Sequence, residues 1–398
     1  MIAANHHNPH HHIGVPHAIG PLQLKTNLLL APVAKYCDLA WRIVCREQGG
    51  LGLACTDLLS PHGLLRGTAQ SLDLAATNQN DSPICMQLYG NDGDILAQGA
   101  EWAVRHGAHV IDINMGCPVD KVTKKDGGSK LLCDPENTVR ITEQIVRAVD
   151  KASKGRVPTT AKIRLGWDDS CLVGPDLARR LEQVGIAQIT VHGRTTAMKF
   201  KGTVRLDDIR QVVQAVNAIP VIGNGDVTSP AACIEMMQRT GCHGVMIGRG
   251  SFSAPWLFRQ CWQAQTSIRD AGTADHDPDP TENEKCRIIR RYLDLMEQFR
   301  GEKYALHHIA KRITWFAKRL GPCKPLREAV RTAASTDDAR NAIDRFAEGG
   351  LRVFDPDGIA RGLEDPTTRR LVERARSQQA GAVAGAAPKP AHRPAPAA

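Results

Sequence analysis

The chain has 398 residues, 42% of them hydrophobic, and a formal net charge of +9 at pH 7. No apolar run approaches the roughly 20 residues of a membrane-spanning helix, and the twelve cysteines include no CxxC pair. Membrane proteins, zinc or iron–sulfur centres and secreted disulfide scaffolds are therefore disfavoured, and we expect a soluble, reduced, cytoplasmic protein without a metal.

Residues 1–23 are predicted to be a disordered leader. They include the His-rich tract NHHNPHHH at 5–12. Such a tract can hold a metal weakly, but a disordered segment is the simpler interpretation.

Residues 24–265 alternate short apolar runs with helical patterns. The runs lie at 27–34, 51–59, 84–90, 109–116, 159–166, 187–194, 220–226 and 243–250. Most are continuous rather than alternating, which is typical of strands buried on both faces. Eight β/α units predict an α/β fold, a TIM (β/α)8 barrel, followed by a small all-helical C-terminal domain.

The C-terminal part is predicted in three segments. A polar stretch with Pro and Asp indicates a linker at 266–281, and apolar residues at three- and four-residue spacing indicate a helical domain at 282–350. Residues 351–398 form an extension that is predicted to be disordered from about 377, where Ala, Pro and Gly dominate.

The basic residues concentrate in one window of the helical domain. Between residues 303 and 331, eight Lys or Arg face one acid, Glu328, which gives +7. The basic residues are Lys303, Lys311, Arg312, Lys318, Arg319, Lys324, Arg327 and Arg331. This concentration suits an RNA surface and, on charge alone, suits the solvated face of a helix equally well.

Cys117 follows the fourth predicted strand, next to the turn-forming residues Gly116 and Pro118. TIM barrels place functional groups at these carboxyl ends, so Cys117 is a candidate acid or nucleophile. The alternative is a buried structural thiol. Asn114, three residues earlier, and Lys121, four residues later, favour the functional interpretation.

Glycine-rich segments end the seventh and eighth predicted strands, at Asn224, Gly225 and Asp226 and at Gly248 and Arg249. Many barrels bind phosphate on backbone N–H groups at these two ends, and an arginine there adds charge. Glycine also closes loops for steric reasons, but two adjacent segments predict a phosphorylated cofactor.

Lys162 ends the fifth strand and is predicted to point into the barrel mouth, where a cation needs a partner. A flavin supplies one, because its reduced ring is negatively charged around N1 and O2, and Gln87 could bind the pyrimidine edge. The alternative is an ion pair with Asp112. The second strand-end cation, Arg164, favours the cofactor.

Several motifs together resemble the tRNA-dihydrouridine synthase family, in particular its bacterial B-type subgroup. They are LLAPVA, QLYG, DINMGCPVDKV, KIRLGWD, ITVHGRT, PVIGNGDVTSP and VMIGRG, within residues 24–345. The first strand reads APV where most members have APM. This departure lies near the expected flavin face.

The resemblance implies reduction of the C5=C6 bond of specific tRNA uridines to 5,6-dihydrouridine, with FMN as cofactor and NADPH or NADH as reductant. It implies that hydride passes from FMN N5 to C6 and that Cys117 donates the proton to C5. The implied FMN contacts are Pro32, Val33, Ala34, Gln87, Lys162, His192, Asn224, Gly225, Asp226, Gly248 and Arg249. The implied substrate contacts are Asn114, Arg164 and Lys121.

Two other functions remain open at this point. One is an FMN-dependent barrel that reduces a small molecule, although such a substrate gives no reason for the basic window. The other is a non-catalytic RNA-binding factor, against which the intact Cys117, Lys162 and Asn114 count. The expected partner is tRNA, without membrane or metal, and the expected oligomeric state is a monomer.

Overall fold

The computed structural model describes residues 12–119 and 127–352. The chain divides into two compact units between Asp279 and Pro280. No helix in the described ranges combines the length and apolar character needed to cross a bilayer.

A closed barrel of eight parallel strands forms the core of the first unit, within the described part of the chain. The strands are β3 (Leu28–Leu30), β4 (Leu53–Cys55), β5 (Ile84–Leu88), β6 (Val110–Met115), β7 (Thr159–Arg164), β8 (Gln188–His192), β9 (Val221–Asn224) and β10 (Gly244–Ile247). Each pairs with the next in chain order, and β10 closes the barrel by pairing with β3. The predicted TIM barrel is confirmed.

Burial of these strands explains their continuous apolar sequences. All of their residues, which the structure describes in full, are buried except Lys162 in β7. Burial on both faces is expected when helices cover a parallel sheet from outside and side chains fill it from inside.

Helices follow the strands in the predicted alternation. Their bounds are Leu39–Glu47, Pro61–Leu65, Ala69–Ala75, Gly93–Arg105, Pro135–Ser153, Gly174–Gln183, Leu206–Ala215, Pro230–Thr240, Arg249–Ser253 and Leu257–Ala271, with a 3-10 helix at Gly128–Cys133. Asp92, Asp134 and Ser229 cap three of them, each accepting from a backbone N–H of the first turn. The helix Leu257–Ala271 extends into the segment predicted as linker, which begins at 266.

The leader prediction is wrong for residues 12–23. A hairpin of β1 (Ala18–Ile19) and β2 (Leu22–Gln23) lies there, and Ile19 is fully buried in the core that lines the barrel. His17 Nε2 donates to Gln188 Oε1 (2.6 Å), at the first residue of β8, so the hairpin covers the amino-terminal end of the barrel. A two-residue strand is too short to show a period in the sequence. Residues 1–11 lie outside the described residues.

The second unit is helical in its described part, with bounds Glu282–Arg300, Glu302–Phe316, Lys324–Thr332 and Thr336–Ala347. Capping boxes begin its first and last helices: Thr281 with Glu284, and Ser335 with Asp338. The helical C-terminal region is thus confirmed. The predicted extension at 351–398 lies outside the described residues from 353 onward.

Candidate active site at the carboxyl end of the barrel

Five neighbouring strands bring most of the predicted site residues to one end of the barrel. The strand register sets Gln87 beside Asp112, Asn114 beside Lys162, Arg164 beside His192, and His192 beside Asn224. Apart from Asp112 and Lys162, which lie three and two residues before the strand end, these residues are last or next to last in their strands. Their side chains converge because the parallel strands share one polarity.

A chain of buried hydrogen bonds crosses the mouth and ends at the cysteine turn. Thr160 Oγ1 donates to Asp112 Oδ1 (2.5 Å), Gln87 Nε2 donates to Asp112 Oδ2 (2.6 Å), and Asn114 Nδ2 donates to Gln87 Oε1 (2.7 Å). Asn114 Oδ1 then accepts from the backbone N–H of Cys117 (3.0 Å). Each amide is therefore fixed in one orientation, which positions the turn that carries the thiol.

The thiol of Cys117 stays protonated at neutral pH. Burial raises the pKa of Cys117, although the backbone N–H of Val119 and the cations Arg164 and Lys162 act in the opposite direction. The Arg164 guanidinium also holds the turn itself, because its Nε donates to the carbonyl of Gly116 (2.8 Å). A thiol held in this way can act as an acid but is a poor resting nucleophile.

Lys162 is half-buried and its ammonium donates to Asn224 Oδ1 (2.8 Å). Burial, and next the charge of Arg164, lower the pKa of Lys162 to about 8. Asp112 is hydrogen-bonded by neutral groups instead, and burial raises the pKa of its carboxyl. The alternative ion pair between Lys162 and Asp112 is therefore not the contact that the structure forms.

His192 is neutral in this site. Burial is the largest cause of its lowered pKa, and the charges of Lys162, Arg164 and Arg194 add to it. A neutral imidazole offers one donor and one acceptor, so His192 can hydrogen-bond a polar ligand without adding charge.

Asp226 joins two arginines and is not placed to bind phosphate through its carboxylate. Arg194 donates to it from Nη1 and Nη2 (3.0 and 2.5 Å), and Arg249 Nη2 lies 3.3 Å from its Oδ1. The Asp226 carboxylate would repel a phosphate. Asp226 can therefore act only through its backbone N–H and by positioning the two guanidinium groups. Gly225 has φ +124°, and a Cβ there would lie 2.5 Å from Val204 Cγ2, so this turn requires glycine.

The β3 end lies next to the other glycine segment. A Cβ added at Gly248 would stand 3.5 Å from Ala31 Cβ and from Val33 Cγ2. Pro32 and Val33 are half-buried and Ala34 is exposed, so this backbone is accessible at the mouth. The predicted flavin-contacting segment and the predicted phosphate segment are thus neighbours.

Three residues of the site were given no role from the sequence. Arg194 is 1% exposed and organises the loop after β8; its place in HGRT directly after a strand was an available signal. Burial raises the pKa of Asp57, after β4, to about 6. Phe200 is 52% exposed, and the guanidinium carbons of Arg164 and Arg249 lie 5.5 and 5.4 Å from its ring centroid. Lys121, in contrast, lies outside the described residues.

Comparison with known proteins gives one consistent result. The profile of the family described as dihydrouridine synthase matches residues 29–348. The chain is 34% identical to tRNA-dihydrouridine synthase B of Pasteurella multocida, over 82% of this chain and 95% of that protein. It is 35% identical to tRNA-dihydrouridine synthase B of Xanthomonas campestris, over 82% and 94%.

Among solved structures, a 2-naphthoyl-CoA reductase in complex with 2-naphthoyl-CoA superposes with a TM-score of 0.50 at 12% identity, over 63% of this chain and 52% of that chain. That likeness concerns the fold alone. The sequence matches are of a different kind, since they extend through the strand-end residues described above. The chain belongs to the dihydrouridine synthase family.

Proposed function

We propose that this protein reduces the C5=C6 bond of specific uridines in tRNA to 5,6-dihydrouridine, with FMN as cofactor and NADPH or NADH as reductant, and that it acts as a cytoplasmic monomer. Its family membership and the names of its relatives support the reaction class. The observation that carries the proposal is the surroundings of Cys117: a protonated thiol at the barrel mouth, on a turn held by Asn114 and Arg164.

The residues present fit FMN. Lys162 and Arg164 lie side by side on one rim of the mouth, and burial lowers the pKa of both, Lys162 to about 8 and Arg164 to about 10. Cations destabilised by burial gain from an anionic partner. Lys162, Gln87 and His192 would hold the ring system, and the turns at Gly225 and Gly248 would hold the phosphate.

When bound, FMN would supply a hydride to C6 of the uracil and be re-reduced by NADPH or NADH. The remaining requirement is a proton at C5, because addition at C6 leaves negative charge conjugated to the C4 carbonyl. The Cys117 thiol can donate that proton. The thiolate that results is then stabilised by Arg164, by Lys162 and by the N–H of Val119, which all favour its charged form.

A uracil stacked in folded RNA cannot reach a barrel mouth, so the target nucleotide has to be extruded into it. The helical unit would bind the RNA backbone with the basic window. A small-molecule reductase would have the same site at the barrel mouth but would not need the basic window of the helical unit.

The test is mass spectrometry of nucleosides from tRNA lacking the modification, incubated with purified protein, FMN and NADPH. A gain of two mass units at particular uridines is expected. If tRNA gains no mass while the flavin-loaded protein still oxidises NADPH, the proposal fails.

A further inference from the structure

The helix Glu302–Phe316 carries planar side chains along one edge of its buried face, between that face and the exposed residues Lys303, His307 and Lys311. Tyr304, His308 and Trp315 follow one another at spacings of four and seven residues, which place them on one face of a helix. We call these three residues the aromatic stripe. All three are half-buried, and Ile309 and Ile313 on the neighbouring face are fully buried.

Each end of the aromatic stripe is paired with a cation. The guanidinium carbon of Arg300 lies 3.7 Å from the ring centroid of Tyr304, and Tyr304 stacks on His308 at 4.0 Å with an interplanar angle of 22°. At the other end, Lys318 Nζ lies 3.8 Å from the ring centroid of Trp315. The surface therefore alternates flat rings with positive charge.

Several acids of the unit are paired with arginines that lie outside the basic window. Arg340 pairs with Asp294, Glu297 and Asp337, which links the helices Glu282–Arg300 and Thr336–Ala347. Arg290 pairs with Asp344 between the same two helices. These carboxylates are neutralised by local arginines, so they do not offset the basic window.

One member of the basic window does not belong to the surface. Arg312 is 2% exposed and lies 5.2 Å from the ring centroid of the buried Tyr292. The other seven basic residues of the window are half-buried or exposed.

We propose that the aromatic stripe stacks on unpaired bases of an RNA, while the neighbouring cations contact the phosphates beside those bases. This rests on the proposed function, because it takes tRNA as the substrate. A duplex backbone needs only positive charge and would gain nothing from the rings. A looped or single strand offers base faces to aromatic side chains and phosphates to Lys and Arg.

The cations that now cover the rings do not prevent stacking. An exposed cation–π contact is weaker than a base–aromatic stack, so a base can displace Arg300 or Lys318 from the ring face. A long, flexible side chain displaced in this way still reaches the adjacent phosphate. An acidic protein surface would bind the same cations but lacks planar groups to replace them.

The test is equilibrium binding of the full-length protein to an unmodified tRNA transcript, measured at several salt concentrations. Tyr304→Leu and Trp315→Leu keep helix-forming, apolar side chains but remove the ring faces. Each is expected to weaken tRNA binding by about 5- to 100-fold, without changing the slope of log K against log salt. Tyr304→Phe should bind as the wild type does.

Three controls separate stacking from charge and from folding. Trp102→Leu removes a similar helical stack, Trp102 on His106 at 3.7 Å, from a helix of the barrel unit, and should not change tRNA binding. Lys318→Gln should reduce the magnitude of the salt slope by roughly 0.7–0.9, as loss of one phosphate contact does. A loop-free RNA duplex should bind the wild type and the Leu variants equally.

Unchanged tRNA affinity in both Leu variants overturns the proposal, and so does an equal loss of duplex binding. Polyglutamate that competes with tRNA in the wild type, and does so less in the Leu variants, would assign the stripe to an acidic protein instead. The inference is also separable from the proposed function. Binding is scored without turnover, so failure to form dihydrouridine would refute that function and leave this readout intact.

Discussion

Replacement of Cys117 by alanine tests the proton-donor role directly. The thiol is removed, but the turn should survive because its contacts are made by the backbone. Asn114 Oδ1 accepts from the Cys117 N–H (3.0 Å), and the Cys117 carbonyl accepts from the N–H and the hydroxyl of Ser129, both at 3.1 Å. Alanine keeps all three contacts.

The expected loss is confined to the chemical step. A positioned general acid contributes about 10²- to 10⁴-fold to a rate, which is about 2.7–5.5 kcal/mol of activation free energy. Burial raises the pKa of Cys117, so thiol ionisation should not lower the wild-type rate near neutral pH. The loss in the variant should therefore be the same from pH 6 to pH 8.

The assay is a single turnover in which pre-reduced, FMN-loaded protein is mixed with tRNA under anaerobic conditions and flavin oxidation is followed by absorbance. Cys133→Ala is the matched control, because Cys133 is an exposed thiol just beyond the same loop, and it should react at the wild-type rate. A wild-type rate in Cys117→Ala would refute the proton-donor argument. Loss of FMN from that variant would refute the claim that backbone contacts hold the turn.

Three further substitutions address the cofactor and the barrel. Lys162→Met removes the half-buried cation that contacts Asn224, and should weaken FMN binding by ~10- to 100-fold, measured by flavin titration of the apoprotein. Asp81→Asn removes the buried carboxylate that binds the buried Arg42 at 2.8 Å and the half-buried Arg46 at 3.0 Å; the expected cost is about 3–5 kcal/mol in urea denaturation. Asp57→Asn concerns pH. The folded-state pKa of Asp57 is about 6 instead of 3.8, because burial disfavours its charged form. The contribution of Asp57 to the free energy of unfolding is therefore fully present below pH 4. Up to about 3 kcal/mol of it is lost as the pH rises through 6. The variant should gain in melting temperature over the wild type at pH 8 but not at pH 4, and an equal gain at both would contradict the burial argument.

The barrel could be predicted because its strands are buried on both faces, which produces continuous apolar runs that sequence alone reveals. The loop after β4 shows the limit of that reasoning. Its two helices, Pro61–Leu65 and Ala69–Ala75, are too short for a helical period to repeat. The hairpin at residues 18–23 was missed because its strands are equally short. Its burial also depends on the open end of a barrel that distant residues form.

The candidate site was predictable at the level of residue types but not of partners. Cys117, Lys162 and Arg164 follow from their positions at strand ends. That Lys162 contacts Asn224, 62 residues later, depends on the closure of β7 through β8 to β9. Asp226 was assigned to phosphate from its place in the segment Asn224, Gly225, Asp226, and only the fold brings Arg194 and Arg249 to its carboxylate.

Burial and the nearby cations act in opposite directions on the pKa of the Cys117 thiol. Before proton transfer, burial outweighs the nearby cations, so Cys117 retains its proton. In the proposed proton transfer the same cations, Arg164 and Lys162, would stabilise the thiolate, and so would lower the energy of the product state relative to an equally buried thiol without them. Lys162 has a pKa of about 8 and can also lose a proton near neutral pH. In the proposed reaction Cys117 would therefore donate the proton beside a lysine whose own charge changes at mildly basic pH.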